Sequence, residues 1–307
     1  MTKDSLKNIG IGILFSMLWA SASVATKFGV QSAPPLILAN IRFFLAGLVL
    51  LGYCYGWSRA KVYRLPNREE WIQLSIFGLL NTTLYLGLYV YAMKFTAAGI
   101  GSLAVSTNPL LIVLFSSWMI RRRPSLPEVF SIILGMSGIA FATYPLLGDQ
   151  RTSITGIALL MLSMVIVSFA SVYYARVKWT LPNLLINGWQ VTLGGIFLLP
   201  LTISFGELSS FHADQTFWYS VLWLSLAVSV VGLICWFYLL KLDTVKASLW
   251  LFLCPLFGFF YAWWLMNEPI TWYTICGTLL VVLGLYIGQR QRQKKTNIIT
   301  SIFIRTQ

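Results

Sequence analysis

Apolar residues run along this chain in long blocks rather than in alternation with polar ones. Stopping at each ionisable or turn residue isolates ten blocks, at about 8–26, 36–56, 71–93, 97–120, 129–148, 152–175, 183–206, 215–240, 247–267 and 270–289. Each is near the ~20 residues at which a helix rising ~1.5 Å per residue crosses ~30 Å of hydrocarbon. A backbone in lipid must satisfy its own N–H and C=O groups, and a helix does so within one segment. The pattern therefore predicts an all-α integral membrane protein with ten transmembrane helices. The first block follows Lys3 and Lys7 and contains Ala20-Ser21-Ala22, which has the look of a signal peptide. Cleavage there would leave nine spans and break the repeat described below, so the block is read as a span.

Composition removes the soluble alternatives. Of 307 residues 58% are hydrophobic and 10% charged, against roughly 25% charged in soluble domains, and the mean hydropathy is +0.76. The net charge of +13 would suggest nucleic acid on a soluble protein. Here the basic residues mark topology, because Lys and Arg accumulate in cytoplasmic loops. Assigning alternate loops to alternate faces puts 18 of the 22 Lys and Arg on the side of the termini. Lys27, Lys94 and Arg151 fall on the other side, and Arg42 lies within a span. Both termini are thus expected in the cytoplasm, with residues 290–307 a basic, solvated tail. Cys54, Cys235, Cys254 and Cys276 sit in or beside apolar blocks with no C-x-x-C pair, so buried thiols are expected, with no metal site and no cofactor.

The chain also repeats. Sliding it on itself by 146 to 147 residues brings Asn40 over Asn187, Gly47 over Gly194, Tyr91 over Tyr238, Lys94 over Lys241, Ser102 over Ser248, Pro109 over Pro255 and Gly138 over Gly284. Each half holds five spans, an odd number, so the second half must enter the membrane from the opposite face. The expected organisation is two inverted five-helix repeats, 1–148 and 149–289, followed by the tail 290–307. Such halves can exchange conformations and open a midplane site to each face in turn.

Several motifs resemble the drug/metabolite transporter superfamily and its ten-span EamA-type permeases. Leu18-Trp19-Ala20-Ser21 with Lys27 looks like the family's first-span motif, and the stretch Asn40 to Gly47, containing Arg42 and Phe43, is similar to the second. Phe95-Thr96-Ala97-Ala98-Gly99 with Asn108-Pro109, and Pro255 with Asn267-Glu268-Pro269, resemble the third turn and the end of the ninth helix. The first half departs from the pattern at Ile120-Arg121-Arg122-Arg123-Pro124, which lacks the acidic residue. The resemblance implies an inner-membrane carrier of the kind that often exports amino acids, aromatic ones included, or other small metabolites.

Candidate site residues follow from what lipid makes expensive. Pro109 and Pro255 lie near the middle of matching spans, where each frees a backbone carbonyl; they are candidate hinges, or packing kinks. Arg42 is about 10 Å deep at ~1.5 Å per residue, with no acid at comparable depth. Carbonyls, water or the anionic group of a substrate would face it. Asn81, Tyr85 and Tyr89 in span three, Asn108 in span four, Ser168 in span six and Gln190 in span seven are polar groups that either pack helices or contact substrate. Trp19 and Ser23 among small residues of span one, and Trp250 in span nine, complete the candidate substrate-binding set. Lys27 is expected to snorkel to the interface, Glu268 to cap a helix, and Trp57, Trp118 and Trp272 to belong to an interfacial belt.

Every Asp and Glu lies in a tail, a loop or at a span end, which argues against proton-coupled export of cations and for a facilitator or exchanger. An intramembrane enzyme would need a nucleophile with its base, or metal ligands. The one histidine, His212, falls in a loop. The reading is a carrier and not an enzyme, working by alternating access, with spans one, three, four, six, eight and nine around a central pocket. A phosphorylated-metabolite or nucleotide-sugar carrier, or a non-transporting receptor or scaffold, is the alternative. The expected partners are a small-molecule substrate and the bilayer, with no nucleic acid, and a monomer satisfies the pattern.

Overall fold

The structure is a computed structural model that describes residues 3–58, 62–119, 123, 125–148, 151–205, 211, 213–242 and 250–287. The tail 290–307, His212, Ser248, Arg121 and Arg122 lie outside the described residues, as does the side chain of Trp118.

Every regular element among the described residues is helical. Helix α1 (Lys3–Ser32) is followed by α2 (Pro35–Leu51), which continues as a π-helical stretch, Gly52–Trp57. Helix α3 (Arg68–Gly78) passes through a second π-helical stretch, Leu79–Leu84, into α4 (Tyr85–Met93). Then come α5 (Ala98–Val105), α6 (Asn108–Met119), α7 (Leu126–Gly148), α8 (Ile154–Arg176) and α9 (Asn183–Ser204). Helix α10 (Gln215–Leu222) leads through a third π-helical stretch, Trp223–Gly232, into α11 (Leu233–Leu242). A 3-10 turn, Trp250–Leu253, opens α12 (Cys254–Met266), and α13 covers Trp272–Ile287. Seven of the helical runs are long and apolar enough to cross a membrane, and Ala98–Ile112, Cys254–Met266 and Trp272–Ile287 are shorter apolar helices. The protein is a multi-pass integral membrane protein.

Local chemistry explains where the helices begin. Asn67 and Glu70 form a capping box on α3, each side chain accepting the other's backbone N–H, at 2.9 and 2.7 Å. Ser153 accepts from Gly156 N on α8 and Asp214 from Phe217 N on α10. Pro35 occupies the first turn of α2, where a missing N–H leaves no partner wanting. The two central prolines act the same way. Rather than bending continuous helices, Pro109 stands second in α6 after a Ser106–Thr107 turn, and Pro255 second in α12 after the 3-10 turn. Each span is broken at its proline, which in the first turn of a helix removes no hydrogen bond; Pro145 in α7 and Pro200 in α9, by contrast, lie inside their helices.

The bundle is apolar outside, and inside it sets polar groups among a hydrophobic core. Ser16, Thr26, Thr82, Ser163, Ser168 and Ser225 are fully buried, while Leu48, Ile203 and Trp264 are more than 60% exposed. Helices approach closely where side chains are small. Helix α2 packs on α9, α4 on α8 and α5 on α12. Backbones of α7 and α13 touch at Gly138 and Gly277, where a Cβ on either residue would meet the other's carbonyl oxygen. All four cysteines are free thiols, and Cys54, Cys235 and Cys254 are buried.

Candidate functional site

Arg42 is where this architecture meets its largest electrostatic problem. It lies on α2 and is 6% exposed. The π-helical stretch Trp223–Gly232 packs beside α2 and supplies the one hydrogen bond its side chain makes among the described residues, Nη2 donating to Ser229 Oγ at a long 3.5 Å. Ser229 Oγ in turn donates to Leu224 O at 2.9 Å, five residues back, and Ser225 Oγ donates to the carbonyl of Arg42 itself at 3.2 Å. The guanidinium Nε is buried without any partner. Among the described residues the Arg42 side chain bonds no backbone carbonyl and no carboxylate.

Tyr85 and Tyr89 on α4 are the titratable groups within electrostatic reach of Arg42. Their rings lie 6.2 Å apart at 57°, and neither hydroxyl is hydrogen-bonded among the described residues. Tyr89 fits because position 101 is glycine. A Cβ there would fall 3.1 Å from the phenol oxygen and 2.6 Å from Met93 Sδ. Trp19 belongs to an adjoining aromatic cluster, its ring 5.5 Å from Phe15, which stacks on Trp236 at 5.0 Å. Trp250 joins the same cluster, its indole lying against Gly12. Trp19 rests on Gly232, one turn beyond Ser229, so the cluster and the Arg42 group share a helix.

The remaining candidates divide into satisfied networks. Gln190 Oε1 accepts from Thr82 Oγ1 at 2.6 Å and from Asn81 Nδ2 at 3.3 Å, and its Nε2 donates to Asn187 Oδ1 at 2.8 Å. Asn81 and Gln190 are thus partners. Ser168 Oγ donates to Asn108 Oδ1 at 3.0 Å, linking α8 to α6. Ser23 turns back on its own helix and donates to Ala20 O. Two groups carried no sequence signal: Ser225 with Ser229, isolated serines in an apolar run, and Thr202, which receives a hydrogen bond from Asn40.

Lys27 corrects an expectation. Its ammonium does not snorkel; it donates to Met93 O at 2.8 Å and Thr96 O at 2.6 Å, because the unpaired carbonyls ending α4 lie within reach. Glu268 caps a helix as expected, but across the chain: its two oxygens accept from Ala98 N and Gly99 N at 2.6 and 3.0 Å, at the start of α5. Thr152 Oγ1 accepts from Ala97 N, and Ser153 N donates to Phe95 O. Around these groups lies a cavity of about 350 Å³ lined by Lys27, Gln31, Lys94, Arg151, Ser153 and Glu268. At the opposite end of the bundle Arg64 makes a two-pronged ion pair with Glu70, at 2.7 and 2.6 Å, and Thr180 donates to the same carboxylate.

Among the described residues no three His, Cys, Asp or Glu side chains converge as metal ligands. An EamA-like transporter family model matches residues 6–144 and again 154–288. The chain belongs to the EamA-like transporter family. Among similar proteins is an uncharacterized transporter of Archaeoglobus fulgidus, 23% identical over 277 residues, covering 89% of this chain and 94% of that protein. Another is the transporter YoaV of Bacillus subtilis, 22% identical over 281 residues, 91% of this chain and 95% of the relative. The inner membrane transporter YedA of Escherichia coli is 24% identical over 288 residues, 90% of this chain and 91% of its own. One solved crystal structure shares the fold, with a TM-score of 0.63 at 20% identity, covering 94% of this chain and 98% of that one. In this EamA-like transporter, then, the Arg42 group sits inside a bundle of transporter type.

Proposed function

We propose that this EamA-like protein is a ten-span carrier of the plasma membrane, the inner membrane in a bacterium as in YedA's name. It moves a small organic metabolite outward by alternating access, uncoupled or by exchange, with amino acids the first class to test. The observation that carries this reading is Arg42. A buried guanidinium with one weak neutral contact and a bare Nε is costly unless an anion visits it. A mobile carboxylate supplies that charge only while bound.

The inverted-repeat organisation has independent support. The same family model fits two successive stretches, and the prolines that open α6 and α12 occupy equivalent places. The π-helical stretches Leu79–Leu84 and Trp223–Gly232 fall at corresponding positions of the two halves, and each bonds the second span of the opposite half, at Gln190 and at Arg42. The Glu268 tie and the Arg64–Glu70–Thr180 tie link the halves at opposite ends. Alternating access opens them in turn, with Pro109 and Pro255 as hinges.

The test is counterflow in proteoliposomes preloaded with mixed amino acids, following labelled tryptophan, phenylalanine and threonine with and without a pH gradient. Saturable exchange that is lost in Arg42→Ala and indifferent to pH is the expected result. No flux above empty liposomes, from protein with a cooperative melting transition, refutes an amino-acid carrier.

A further inference from the structure

The polar groups gathered at Arg42 are unequal in kind. The guanidinium can only donate, and its Nε and most of its N–H groups have no partner. Tyr85 and Tyr89, on α4, which packs against α2, lie within electrostatic reach of it, and among the described residues their hydroxyls are unbonded and each able to donate. Ser229 and Ser225 already spend their protons on Leu224 O and Arg42 O. No span carries an Asp or Glu at this depth. The other buried side-chain atoms without partners inside the spans, Asn40 Oδ1 and Thr26 Oγ1, are neutral. Asn40 is also two residues from Arg42, and so on a different face of α2, where it bonds Thr202 on α9.

This is a donor-rich site with one positive charge and no negative one. Its complement is a group that only accepts and carries a single negative charge. A carboxylate fits, and two parallel N–H···O bonds from a guanidinium are its strongest neutral-pH recognition. A zwitterionic amino acid brings the same carboxylate together with an ammonium that requires acceptors and is repelled by Arg42 in a medium of low dielectric. A phosphate dianion fails in the opposite sense, leaving one negative charge uncompensated.

Resting on the reading of Arg42 as the substrate anchor, but departing from amino acids as the preferred class, we propose that this site selects organic monocarboxylates lacking a neighbouring ammonium over amino acids, which then exchange as weaker substrates, with Tyr85 and Tyr89 donating to the carboxylate oxygens beside the guanidinium. The aromatic rings of Tyr85 and Tyr89, and the Phe15–Trp19–Trp236 cluster reached along the Ser229–Gly232 turn, give an apolar body its surroundings.

Phenylpyruvate and phenylalanine form the matched pair, differing only in a ketone against an ammonium beside the carboxylate. Binding of each to the full chain in lipid nanodiscs is measured by titration calorimetry, with phenyl phosphate as the dianion. Phenylpyruvate is expected to bind at least about tenfold more tightly than either, by the charge match alone. In Arg42→Gln the preference should collapse to within about twofold, and Tyr85→Phe or Tyr89→Phe should weaken phenylpyruvate about three- to tenfold while the melting temperature holds. If phenylalanine binds as tightly as phenylpyruvate or more so, and Arg42→Gln still weakens it, the monocarboxylate assignment is wrong while Arg42 remains the anchor. Tightest binding by phenyl phosphate overturns it equally. If none of the three binds a chain that melts cooperatively, or Arg42→Gln changes nothing, the anchor reading falls together with it.

Discussion

Two basic side chains are drawn into this bundle, Lys27 on α1 and Arg42 on α2, and they end in opposite situations. Lys27 spends its protons on the carbonyls of Met93 and Thr96, and the neighbouring Glu268 caps α5 with both oxygens. Arg42 has, among the described residues, only a distant serine hydroxyl. A charge whose bonds are all made by the protein holds structure together; a charge left short of bonds is available to a ligand. The comparison separates a brace from a binding group by hydrogen-bond accounting rather than by depth or residue type.

Five substitutions would break or sharpen that contrast. The largest effect is expected from Arg42→Met, which should reduce substrate exchange at least a hundredfold yet leave thermal stability unchanged or raised, since an uncompensated buried charge is replaced by an apolar chain of similar length. A transition lowered by more than about 5 °C in a detergent melt would make Arg42 a brace after all. Lys27→Met should do the reverse. It strands carbonyls at the end of α4 and should cost about 2–4 kcal/mol of stability, visible as a lower melting temperature, while exchange per folded molecule survives. Glu268→Gln removes the charge from the two bonds to the α5 terminus and should cost about 1–2 kcal/mol by the same melt. Gly101→Ala drives a Cβ toward Met93 and the Tyr89 hydroxyl, and should weaken substrate binding roughly threefold. The smallest effect belongs to Ser229→Ala: within about threefold in exchange, because the contact it deletes is already long.

The spans are legible in the sequence because lipid forbids other solutions, and the burial of Arg42 follows from its place in one of them. The two prolines are legible as interruptions, though as helix starts they do more than bend. The partners of these groups are another matter. Asn81 and Gln190 stand 109 residues apart and read as two separate candidates until packing joins them. Ser229 is one serine in an apolar run. The π-helical stretches leave no periodic mark, since a shift from four to five residues between bonded groups does not alter an all-apolar pattern. The Lys27 expectation failed because snorkelling assumes that water is the nearest acceptor, whereas the end of α4 is nearer.

The contact between Arg42 and Ser229 spans 187 residues, and it therefore has a schedule. At ~5–20 residues per second of synthesis, about 10 to 40 s pass between the emergence of Arg42 and that of Ser229. Throughout that interval α2 is a membrane segment carrying a cation with no mate, short of the bilayer centre and so at an insertion penalty below the about 2.5–3.5 kcal/mol of that depth. The segment is held in place by its apolar flanks, Leu36–Leu38 and Leu45–Leu51, while the ribosome finishes the half that receives it. Assembly of the second half onto the first is thus an event in time as well as in space.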